Sequence, residues 1–125
     1  MKLLIVDDSN IIRRKIERSA HVDNLHVVGT AADGVEAVKL FQQTLPDVVT
    51  MDLTMPHMDG IACIEQLVVI KTDVLILVVS ALADKATAIE ALKKGAHGFL
   101  CKPFTEEELN EALNELLEGN PYARR

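Results

Sequence analysis

The sequence predicts an α/β domain: a five-stranded parallel sheet, doubly wound, with five helices. Three observations predict it. Short β-branched runs alternate five times with segments of helical periodicity. Several runs are apolar at every position, which suits strands covered on both faces. A chain of 125 residues, 49% hydrophobic, has enough apolar mass for one core in one domain.

Each element follows from its residues. "KLLIV" (2–6) is the first strand. "SNIIRRKIERSA" (9–20) is a helix, with Ser9 or Asn10 as its cap and Ile12, Ile16 and Ala20 at helical spacing. "LHVVGT" (25–30) is the second strand. Asp33 and Glu36 have capping-box spacing ahead of Val35, Val38, Phe41 and Leu45, and Pro46 ends that helix. "DVVTMD" (47–52) is the third strand, followed by the loop "LTMPHMD" (53–59), where Asp59 can cap a helix carrying Ile61, Ile64, Leu67 and Val68. "VLILVVS" (74–80) is the most hydrophobic run and so a central strand. The next helix carries Ile89, Leu92 and Ala96 at helical spacing and stops at Gly95. "GFLC" (98–101) is a short fifth strand. Thr105 and Glu108 open a last helix with Leu109, Ala112, Leu113, Leu116 and Leu117 on one face. Residues 1–118 form the domain, and 119–125 read as a short C-terminal tail.

Composition narrows the function. Net charge is −6, which disfavours a nucleic-acid partner, because phosphate backbones are bound by clustered Lys and Arg. Cys63 and Cys101 sit in apolar sequence and read as reduced, small core residues. The N-terminus opens directly on a strand-like run without a signal peptide, and the longest apolar stretch, 74–83, is about half of what a membrane span needs. A cytoplasmic protein with no membrane partner is the expectation. The four histidines fall in different elements without ligand spacing. His57 reads as a solvated loop residue, and Met51, Met55 and Met58 as packing.

The carboxylates carry the chemistry. In an open parallel sheet, ligands sit beyond the carboxyl ends of the strands. There the first strand ends in Asp7 and Asp8, the third in Asp52, the fourth in Ser80, and the fifth in Lys102 followed by Pro103. Three acids at one crevice call for a cation, and an oxygen-only donor set suits Mg²⁺ better than Zn²⁺. A carboxylate beside such an ion and an ammonium is placed to attack a phosphoryl group and form an aspartyl phosphate. Asp52 stands alone and is the best nucleophile, whereas Asp7 and Asp8 come as a pair suited to metal. Any one strand-end Asp is more simply a turn former or helix cap. Three acids, a hydroxyl and an ammonium together on one edge are not.

The set "VDD", "MDLTMPHMDG", "VVSA" and "FLCKPF" resembles the response-regulator receiver family of two-component signalling, from Lys2 to about Leu117. The resemblance implies strand order 2-1-3-4-5. It makes Asp52 the phosphoacceptor, Asp8 a direct Mg²⁺ ligand, Asp7 a ligand acting largely through water, and Thr54 a ligand through its backbone carbonyl, with Mn²⁺ able to replace Mg²⁺. It makes Ser80 the switch hydroxyl, Lys102 the ammonium that pairs with the phosphoryl group, Phe99 the rotating aromatic and Pro103 the proline after a cis bond. Thr54 and Leu82 occupy positions that tune dephosphorylation, and neither is acidic or amide-bearing here. Phe99 lacks the hydroxyl of the tyrosine found in many chemotaxis members. The implied partners are a sensor histidine kinase, a downstream protein that recognises the phosphorylated form, and a phosphatase.

Two other classes fit less well. A Mg²⁺-dependent aspartyl phosphohydrolase typically carries its nucleophile on the first strand with a second Asp two residues on, and here that position is Ser9. A flavodoxin needs an uncharged phosphate loop where Asp7 and Asp8 stand. The expectation is a phosphorylation-controlled switch acting through its helix 4–strand 5–helix 5 surface, with chemotaxis as the candidate pathway, and not an enzyme. It reads as a complete single-domain regulator, with a receiver cut from a longer protein as the alternative.

Overall fold

The computed structural model describes residues 1–55, 57–81 and 84–119. Pro56, Leu82, Ala83 and the tail beyond Gly119 lie outside the described residues. Ten elements alternate: β1 (Lys2–Val6), α1 (Asn10–Ser19), β2 (His26–Ala31), α2 (Gly34–Thr44), β3 (Val48–Met51), α3 (Gly60–Ile70), β4 (Leu75–Ser80), α4 (Lys85–Lys94), β5 (Gly98–Cys101) and α5 (Glu106–Glu118). The sheet is parallel throughout, in the order β2-β1-β3-β4-β5.

Side-chain alternation divides the core in two. Leu4, Val6, Val49, Met51, Ile76 and Val78 face α2, α3 and α4, where Phe41, Ile64, Leu67 and Ala91 meet them. Leu3, Ile5, Val48, Leu75, Leu77 and Val79 face α1 and α5, meeting Ile16, Leu109, Leu113 and Leu116. Every residue of β3 and β4 is buried, as strands covered on both faces require.

Local chemistry sets the helix starts. Ser9, Asp33, Asp59, Asp84 and Thr105 each accept a backbone N–H of the first turn, and Thr105 and Glu108 form a reciprocal box. Asp33 caps Glu36 N–H as its spacing predicts. Gly95 ends α4 at φ 127°, a conformation that L side chains rarely adopt, and a Cβ there would lie 2.7 Å from Val68 Cγ1.

Two expectations need correction. Cys63 is buried, but Cys101 is exposed. It lies on β5, the edge strand, whose outer flank no further strand covers. Ile89 and Leu92 also do not fill the core: they are 42% and 50% exposed, and only Ala91 of α4 is fully buried.

Candidate functional site

The acid cluster is assembled by ladder bonds that run one residue past each strand. Asp7 N–H donates to Ala31 O at 3.0 Å, Asp52 N–H to Val6 O at 2.9 Å, and Lys102 N–H to Ser80 O at 2.9 Å. The polar residues are therefore fixed by the sheet itself at its carboxyl edge. The Lys102–Pro103 peptide bond is cis.

Asp7, Asp8 and Asp52 each present an oxygen within 4.8 Å of the others. Asp7 and Asp52 are 1% and 4% exposed, and Asp8 faces solvent. Lys102 Nζ lies 2.7 Å from Asp7 Oδ2 and 3.7 Å from Asp52 Oδ1, so it bridges the two buried acids and sits nearer the first. Asp7 Oδ2 is thus charge-paired, yet the angles do not make a hydrogen bond, and the oxygen retains accepting capacity. Its other oxygen takes Ser9 N–H at 2.9 Å.

Burial first, and then the negative charge of Asp7, raise the pKa of Asp52 to about 6 against the opposing pull of Lys102 and of the Thr54 N–H, 3.4 Å from Oδ1. The carboxyl remains mostly ionised at neutral pH. A buried acid in this condition is short of positive charge. The donor set fits a hard divalent ion: three carboxylates, two of them buried, an oxygen with accepting capacity to spare and no His or Cys.

Ser80 is fully buried at the end of β4, and Thr54 is exposed just after β3. Phe99 is half-buried on β5 and packs against the core beneath α3 and α4. The structure therefore gathers Asp7, Asp8, Asp52 and Lys102 at one edge, with Ser80 ending the neighbouring strand and Phe99 set back along β5. Leu82 lies outside the described residues. His57 is exposed, at φ 70°.

Two α1 residues were not legible as part of the site. Arg13 Nη1 donates to the Asp7 carbonyl at 2.6 Å, and Nη2 donates to Asn10 Oδ1 at 3.2 Å, holding the acid pair from behind. Lys15 Nζ donates to the Phe104 carbonyl and lies 4.4 Å from the centroid of its ring. Both look like outward charges in a helical pattern; the turn from β1 into α1 brings Arg13 back to Asp7, and tertiary packing brings Phe104 to Lys15.

Known proteins resemble this chain in sequence and fold. The model of the response regulator receiver domain matches residues 3–114. The chemotaxis protein CheY of Thermotoga maritima is 40% identical over 92% of this chain and 96% of its own length. That of Listeria monocytogenes is 37% identical over 92% and 97%. The solved complex of CheX with CheY, BeF₃ and Mg²⁺ from Borrelia burgdorferi contains a chain that superposes with a TM-score of 0.88 at 30% identity, covering 93% of this chain and 88% of that one.

Proposed function

The chain belongs to the response regulator receiver domain family, and from that premise we propose that it is a phosphorylation-controlled signalling switch with Asp52 as the acceptor. One observation carries the reading: a buried Asp52 lies 3.7 Å from an ammonium and within a three-carboxylate cluster at the carboxyl edge of the sheet.

An Asp52 oxygen attacks phosphorus, a P–O bond forms, and the donor's bond to phosphorus breaks. With acetyl phosphate the leaving group is acetate; with a histidine kinase it is the imidazole nitrogen. Asp7, Asp8, Asp52 and the Thr54 carbonyl would hold Mg²⁺, or Mn²⁺ in its place, and the ion would supply neutralising charge for the phosphoryl oxygens. Lys102 pairs with the transferred group. No proton need leave Asp52 at neutral pH, since its pKa of about 6 leaves it largely ionised.

The reaction yields a modified protein, so the chain acts as a switch and not as a metabolic catalyst. Ser80 senses the phosphoryl group, and Phe99 transmits its movement to the face built from α4, β5 and α5. The exposed Ile89 and Leu92 make that face partly apolar, as a contact surface for a downstream protein would be. A histidine kinase as donor and a phosphatase to reset the state are what the family resemblance implies, and the chemotaxis proteins among the relatives support chemotaxis as the pathway. No helix among the described residues is long and apolar enough to cross a membrane.

The test is intact-mass measurement after incubation with acetyl phosphate and Mg²⁺. The parent should gain one phosphoryl group and Asp52→Asn none. Full modification of Asp52→Asn would overturn the assignment.

A further inference from the structure

We infer that Lys15 is a positioning residue for Lys102, acting as a clamp on the loop that carries the Lys102 ammonium to Asp52. The inference rests on the reading of Asp52 as phosphoacceptor.

Lys102 is two residues from Phe104. The segment between them is fixed at one end, where Lys102 N–H donates to Ser80 O at 2.9 Å. At its other end two contacts converge on Lys15. Its ammonium donates to the Phe104 carbonyl and sits over the Phe104 ring at 4.4 Å. The ring is itself an anchor, 3% exposed and packed into the core on the α1/α5 side. A charge-assisted hydrogen bond and a cation–π contact on the same residue fix both the backbone and the side chain of Phe104.

The placement of Lys15 gives this clamp its consequence. It lies on α1, the helix that begins at Asn10, straight after the acid pair. Two positions earlier on that helix, Arg13 holds the Asp7 carbonyl at 2.6 Å. One helix therefore fixes the acids through Arg13 and the ammonium loop through Lys15. Lys102 needs such support because its charge rides on a flexible four-carbon stem, so its position depends on where the backbone starts. Reaction rate is sensitive to displacements of about 1 Å. A tie that served only to join α1 to the loop before α5 would affect stability without acting through Lys102.

A double-mutant cycle on the full chain separates the two roles. Initial labelling by acetyl phosphate with Mg²⁺ is followed by intact mass. Lys15→Met keeps the aliphatic stem but loses the donor and the charge, and labelling should slow about tenfold. Lys15→Arg keeps donors and ring contact, and should stay within about twofold of the parent. In a Lys102→Ala background, Lys15→Met should change the residual rate no further, because the group it positions is gone. If Lys15→Met fails to fold, Lys15→Gln carries the same cycle. Parental labelling by the variant, or an equal loss with and without Lys102, overturns the clamp alone. An unlabelled parent overturns the acceptor reading and this inference with it.

Discussion

At the scale of single residues, Asp52 joins chemistry to stability. Its carboxyl titrates near 4 in an unfolded chain and at about 6 in the folded one, with burial the first cause. Between those values the folded state keeps a proton that the unfolded state has released. Stability from this group is therefore present below pH ~4 and lost as pH rises through ~6. About two pKa units correspond to ~3 kcal/mol. His97 works in the opposite direction, since burial lowers its pKa and favours the folded state as pH rises. Both proteins of a pair carry His97, so a difference measurement cancels it. In chelator, Asp52→Asn should become more stable relative to the parent as pH goes from 4 to 7, by up to ~3 kcal/mol in urea unfolding. A difference that stays flat over that range would sink the account. The acids and Lys102 were legible in sequence because each ends an apolar run. Arg13 and Lys15 were not: Arg13 reaches back across the β1–α1 turn to the Asp7 carbonyl, and the target of Lys15, the Phe104 carbonyl, is set by tertiary packing.

At the scale of elements, the loop from Asp52 to Gly60 shows how tightly the site is bound to the fold. Gly60 is the first residue of α3, and its N–H donates to Leu53 O at 2.9 Å. A Cβ at that position would stand 2.2 Å from Asp52 O and 2.6 Å from Leu53 Cα. These are backbone atoms, which cannot swing aside as a side chain can. Helix propensity alone would make Gly60→Ala stabilising by up to about 1 kcal/mol. The clash should reverse that sign and leave the variant less stable by at least ~1–3 kcal/mol, the usual cost of overpacking. A melting temperature equal to or above the parent's would refute this. Element positions were legible almost throughout, since caps and periodicity are local properties. Burial of α4 was not: Ile89 and Leu92 have core spacing yet face outward, because α4 meets the sheet edge on a small residue, Ala91. Cys101 was misjudged for a similar reason. Apolar neighbours in sequence do not reveal that β5 is an edge strand.

At the scale of the whole molecule, strand order came from family resemblance and not from the residues, since five β-then-α units permit several orders. The order matters because it sets β1 beside β3 and so brings Asp7 and Asp8 to Asp52. The resulting cluster belongs to a chain of net charge −6, so a cation at that edge relieves both local repulsion and part of the global field. An ion that binds only the folded state stabilises it by mass action, ~2.7 kcal/mol at a hundredfold excess over Kd. For a domain of this size that is a rise of roughly 5–10 °C in Tm. Non-specific screening by salt could produce a smaller rise, so ionic strength must be matched with NaCl. Asp8 is the discriminating residue: it is the exposed member of the cluster, and its loss leaves the ion pair between Lys102 and Asp7 in place. Titration with Mg²⁺ should therefore raise the Tm of the parent in a saturable way and raise that of Asp8→Asn far less. A chelator should return the parent to its starting Tm. Equal shifts in both proteins, or a parent shift reproduced by NaCl, would mean that the three carboxylates do not act as a metal site.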